Sequence, residues 1–113
     1  MLIELYKLIY IQGCRLPKRD RFGINSKLEN HLIEAWELAV AAALENKSLK
    51  LPHLNKLRIK IEIIKRLVRL EKELNIVDLR LYIDLSQKLQ EVSKMTNGWI
   101  KFIQQGGAKA PPL

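Results

Sequence analysis

The chain has 113 residues, 48% hydrophobic and 28% charged, with 20 Lys and Arg against 12 Asp and Glu for a formal charge of +8. This is the length of one domain with enough apolar mass for a core. Its single cysteine, Cys14, excludes an intrachain disulfide and a cysteine-clustered metal, and no apolar run reaches the roughly 18 residues that cross a bilayer.

The first helix is expected over Leu2–Gly13, where Leu2, Leu5, Tyr6, Ile9 and Tyr10 recur at i, i+3, i+4 spacing. Gly13 and Pro17 are its stop signals. Because this apolar segment carries Glu4 and Lys7 and has no small-residue cleavage site, it reads as structure rather than a signal peptide. A reducing cytoplasm is the expected setting. A turn-rich loop follows from Arg15 to Asn25, with Lys18, Arg19 and Arg21 around one carboxylate.

The second helix is expected from Asn25 or Ser26 to about Asn46. Ser26 and Glu29 have capping-box spacing, and Ala35, Ala39, Ala41, Ala42 and Ala43 permit close helix approach. Glu29, Glu34, Glu37 and Glu45 make its outer side acidic. The third is expected to open at Pro52 and run to Asn75. Between Leu54 and Asn75, seven Lys and Arg meet three Glu, a balance of +4. The fourth is expected from Asp78, as N-cap, to Gln104. Its seam is Tyr82, Leu85, Leu89, Val92, Thr96, Trp99 and Ile103. Gly98, inside that pattern, suggests close approach of another backbone. The reading is all-α: an antiparallel up-down four-helix bundle spanning 1–105, with short links between neighbours and a disordered tail over 106–113.

Catalytic constellations are missing from the sequence. His31 and His53 stand alone, without partners at ligand spacing. Glu34 and Glu37 lack the His three residues on that a bundle di-metal site uses. No enzyme activity, metal, cofactor or small-molecule substrate is expected, and Trp36 and Trp99 read as packing residues. What remains is charge. Arg58, Lys65, Arg69 and Lys72 fall on one helical face, suited either to solvation with pairs such as Glu62–Arg66 or to neutralising phosphates. An anionic membrane surface fits less well, because the apolar faces are committed to packing. Those faces are in surplus. The third helix carries both Leu57, Ile61, Ile64, Val68 and Ile59, Ile63, Leu67, Leu70, Leu74, a wider arc than one bundle buries. Self-assembly is the usual use of such a surplus.

Two stretches carry a resemblance. Leu16 to Ala42, LPKRDRFGINSKLENHLIEAWELAVAA, resembles the loop and second helix of the Avd family, the accessory variability determinants of diversity-generating retroelements. Glu91 to Ile103, EVSKMTNGWIKFI, is similar to that family's last helix, with Gly98, Trp99 and Ile100 matching its Gly-Trp-Ile-type ending. The PKxxRFG-type loop is shared with four-helix proteins encoded by intervening sequences of ribosomal RNA genes. Where those show a SxxxNIAEG-like stretch, this chain has EAWELAVAAA.

The resemblance implies a barrel-like homopentamer of bundles. It implies an accessory protein that binds reverse transcriptase and RNA, and also DNA, in support of mutagenic copying. The alternative is a structural bundle of the intervening-sequence type with no polymerase partner. No motif assigns the binding residues; charge and facing alone select Lys18, Arg19, Arg21, Lys56, Arg58, Lys65, Arg66, Arg69 and Lys72.

Overall fold

The computed structural model describes residues 1–106. Among these residues there is no strand, and four long helices pack as a bundle 47 × 22 × 18 Å across its principal axes. The long helices are α1 (Leu2–Cys14), α3 (Ile24–Leu44), α4 (Lys47–Glu73) and α5 (Leu79–Gln104); α2 (Lys18–Arg21) is a single turn. α1 packs on α3, α3 on α4 and α4 on α5, and α1 meets α5 to close the ring. The expected tail lies outside the described residues, apart from Gly106.

The core follows the predicted seams. α4 buries Leu54, Leu57, Ile61, Ile64 and Val68, and α5 buries Leu85, Leu89, Val92, Thr96, Trp99 and Ile103. α3 contributes Leu28, Leu32 and the small Ala35, Ala39 and Ala42. Tyr82, placed on the α5 seam, is only half-buried. Asp78 caps α5 as expected, its Oδ1 accepting from the Leu81 N–H at 2.7 Å. The link before it is tight for a definable reason. Asn75 takes φ 59°, the Ile76 N–H donates to the Glu71 carbonyl at 2.8 Å, and the Asn75 N–H donates to that of Lys72 at 3.0 Å. This paired closure satisfies the last carbonyls of α4 and turns the buried Ile76 and Val77 into the end of the bundle.

Four local expectations are corrected. Ser26 and Glu29 do not cap α3, which begins at Ile24 with Gly23 as its N-cap. The α2 turn runs almost straight into it, and a Cβ on Gly23 would lie 2.5 Å from the Arg19 carbonyl oxygen, so only glycine permits that turn. Gly13 does not end α1. It lies within the helix, where its Cβ would stand 2.4 Å from Asn25 Nδ2, and Asn25 donates to the Ile9 carbonyl at 3.2 Å. Pro52 does not open α4, which starts five residues earlier at Lys47. That first turn is tied down by the buried Lys50, whose Nζ donates to the carbonyls of Ala42 at 2.8 Å and Ala43 at 3.1 Å. Lys50 thereby closes the C-terminus of α3, while Lys47 Nζ donates to the Gly106 carbonyl. Finally, a Cβ on Gly98 meets nothing within 4 Å, so no backbone approaches it.

Candidate nucleic-acid interface

α4 has three functionally different flanks. One is the core seam. Helical periodicity puts Ile59, Ile63, Leu70 and Leu74 on its outermost ridge, and all four are exposed, Ile59 at 55% and Leu74 at 56%. Beside that ridge, toward α5, lie Arg58, Lys65, Arg69 and Lys72. Lys65 Nζ donates to Gln90 Oε1 of α5 at 3.4 Å, and Lys72 Nζ lies 5.1 Å from the centre of the Tyr82 ring. Arg66 sits between ridge and stripe. Lys56 is on the opposite flank, in a groove of about 640 Å³ between α3 and α4 whose apolar floor includes Leu38, Ala41, Ile59 and Ile63.

The cations outnumber their carboxylates. Glu62 serves both Lys65 (3.2 Å) and Arg66 (3.4 Å), Glu73 pairs with Arg69 (3.4 Å), and Asp20 pairs with Arg19 (3.7 Å). Lys18, Arg21, Lys56, Arg58 and Lys72 have no carboxylate within 4 Å among the described residues, although Arg21 acts on Glu29 at longer range. The pairs that exist are solvent-exposed and of the kind worth less than about 1 kcal/mol each, so a polyanion can displace them. The acidic side lies elsewhere. Glu34 on α3 takes Lys60, which also meets His31 Nδ1 at 3.1 Å, and the Lys60 hydrogen bond holds the Glu34 carboxyl below its usual range.

Glu71 does not oppose the basic surface as a sequence count assumes. It continues the buried spacing of Leu57, Ile61, Ile64 and Val68 and is 0% exposed, with neither carboxylate oxygen hydrogen-bonded. Burial, joined by the charges of Asp20 and Glu29, pushes its pKa up to about 7. Burial also raises Glu29, against the pull of Arg21. The signal was present in the sequence: Glu71 falls in phase with the core residues. α2 directly precedes the N-terminus of α3, and α4 returns antiparallel to α3 after a short link, so α2 and the C-terminus of α4 lie at one end of the bundle. The structure therefore brings Lys18, Arg19 and Arg21 to the same end as Arg69 and Lys72. Lys56 is left roughly 24 Å from Lys72 along the helix, at 1.5 Å per residue.

Two exposed apolar features were not visible as such in the sequence. Phe22 stands 69% exposed at the end of α2, with the Arg21 guanidinium 5.4 Å from its ring centre. α3 presents an outward apolar stripe of Ile33, Trp36, Val40 and Leu44, so Trp36 is not a core residue of the single bundle while Trp99 is, at 1% exposure. Among the described residues no cluster of three or more His, Cys, Asp or Glu is arranged to hold a metal ion, and no helix is long and apolar enough to cross a membrane. Residues 2–103 match a family model described as bAvd-like. No curated protein and no solved structure matches the chain.

Proposed function

Since this chain belongs to the bAvd-like family, we propose that it is the non-catalytic accessory protein of a diversity-generating retroelement. In this reading it holds the reverse transcriptase and the template RNA or its cDNA on basic surfaces and supports mutagenic copying in the cytoplasm. The observation that carries the reading is the outer surface of α4. There five cations, Arg58, Lys65, Arg66, Arg69 and Lys72, have only Glu62 and Glu73 as ion-pair partners, while Lys56 lies apart in the α3–α4 groove that Glu34 and Glu37 also line. Such a surface positions a nucleic acid through its phosphates without reading bases.

Self-assembly accompanies this role. The apolar ridge of α4 and the apolar stripe of α3 are two different patches on one subunit. Two non-identical patches that complement each other make a head-to-tail contact, which closes into a ring where the rotation between subunits permits. A homopentameric barrel is the ring proposed.

The test is RNA binding followed across salt concentration, with Arg58, Lys65, Arg66 and Arg69 changed together to Glu in a second protein. Wild-type affinity is expected to fall steeply with salt, as phosphate contacts require, and the variant is expected to lose binding with helicity and mass unchanged. Salt-independent binding, or a variant that binds as well as wild type, refutes the α4 surface. A reverse transcriptase gene beside this one would favour the accessory role, and insertion inside a ribosomal RNA gene would favour the structural, polymerase-free alternative.

A further inference from the structure

The α2 turn combines features that the α4 surface lacks. Phe22 is a large aromatic side chain turned almost entirely to solvent, on a one-turn helix too short to have a core face. It contributes nothing to the buried cluster of the bundle. Three cations lie within four residues of it, and two of them, Lys18 and Arg21, have no carboxylate within 4 Å among the described residues. Arg21 already lies over the ring at 5.4 Å. The turn itself is held firmly: the N–H groups of Arg21 and Phe22 donate at 2.9 Å to the carbonyls of Pro17 and Lys18. Beyond it, Gly23 fixes the joint to α3 at a spacing no side chain would permit. The ring is therefore presented at low conformational cost rather than on a loose loop.

A protruding ring among cations suits one ligand class. Every unpaired base offers a flat π face, and base–aromatic stacking next to phosphate-neutralising cations is the general device for holding single strands. In a duplex those faces are already stacked on their neighbours, so a duplex gains only the electrostatic part. We propose that the α2 turn is a single-strand binding site, in which an unpaired base stacks on Phe22 while Lys18, Arg19 and Arg21 hold the flanking phosphates. Arg69 and Lys72 lie at the same end of the bundle, on α4. This site rests on the nucleic-acid-binding reading above and adds to it a preference for unpaired strands.

Fluorescence anisotropy of the full chain with a labelled oligouridine, an oligothymidine of the same length and a hairpin duplex tests it. Phe22→Ala is expected to weaken both single strands about tenfold or more and to leave the duplex within about twofold. Phe22→Leu is expected to behave like Phe22→Ala, because bulk without a π face does not stack. Phe22→Trp is expected to keep single-strand affinity and to show indole quenching on binding. Circular dichroism melts of all three are expected to match wild type, given the exposure of the ring. If wild type binds single strands and Phe22→Ala and Phe22→Leu match it, the stacking site is overturned while the accessory role stands. Equal losses on single strand and duplex overturn it too. Wild type that binds no nucleic acid overturns both readings.

Discussion

Glu71→Gln isolates the least comfortable group in the bundle. The glutamate is fully buried with two unpartnered oxygens, and its carboxyl titrates at about 7 in the fold against the ordinary 4.5. A raised acid pKa means the folded state holds the proton more tightly than the unfolded chain does. Its contribution is therefore fully present below pH 4.5 and is lost as pH rises through about 7, after which the curve is flat. At about 1.4 kcal/mol for each pH unit, that interval amounts to roughly 3 kcal/mol for one carboxyl. Glutamine keeps the shape, removes the titration, and cannot carry the negative charge that burial, Asp20 and Glu29 disfavour at that position. The expected result is a variant about as stable as wild type at pH 4.5 and more stable by up to about 3 kcal/mol at pH 8. Urea unfolding followed by circular dichroism at several pH values, with protein concentration fixed because assembly couples to stability, measures the difference. Glu29 and the surface carboxylates titrate in both proteins and largely cancel. Wild-type and variant curves that run parallel from pH 4.5 to 8 would refute the assignment of a buried, proton-holding carboxyl.

Trp99→Ala should cost about 3–5 kcal/mol, the range for deleting a buried aromatic. Trp99→Phe should cost less, because the indole N–H of Trp99 has no partner to lose; equal melts for wild type and Trp99→Ala would contradict burial. Gly98→Ala should raise stability by up to about 1 kcal/mol, since the added methyl enters open space within a helix, and a destabilised variant would mean that an assembled partner covers that position. Light scattering should give the mass of five 13.2 kDa subunits, and replacing Ile59 and Ile63 together by Lys should lower it, whereas a monomeric wild type would remove the ring.

The long seams were legible because periodicity and burial report the same physics. Leu85, Leu89, Val92, Thr96, Trp99 and Ile103 were placed from spacing alone and are all buried. Asp78 was legible because an N-cap is a local bond between a side chain and a backbone three residues on. Local rules failed where tertiary contacts replaced them. The Ser26–Glu29 box was outcompeted by the α2 turn, which delivers the chain to Gly23 already poised for a helix. α4 starts before Pro52 because Lys50 bonds back to α3, a contact eight residues long in sequence that no window of propensities contains. Gly13 read as a stop, yet it lies against the Asn25 side chain of α3, with no room for a Cβ. For the site, the identity of the exposed cations on α4 was legible from facing. The joining of the α2 cluster to Arg69 and Lys72 at one end was not, since it depends on how α2 folds back over α1 and α3.

The arrangement on α4 also bears on how assembly and binding coexist. An exposed row of Ile59, Ile63, Leu70 and Leu74 is larger than a solitary small bundle has reason to display, and a cation row lies directly beside it. If the apolar row is covered by another subunit, the neighbouring cations are brought to the rim of that contact. In a ring the cation rows of successive subunits are then repeated at a fixed spacing. A polyanion laid across them meets several rows at once and releases more counterions than it does on one subunit. Nucleic acid should therefore bind the assembled form more tightly than the separated subunit, and by linkage should favour assembly in return. Salt weakens these phosphate contacts and leaves the apolar ridge untouched. High salt should thus leave the oligomer intact as RNA dissociates. Dissociation of the oligomer at high salt would show instead that ion pairs rather than the apolar ridge hold the subunits together.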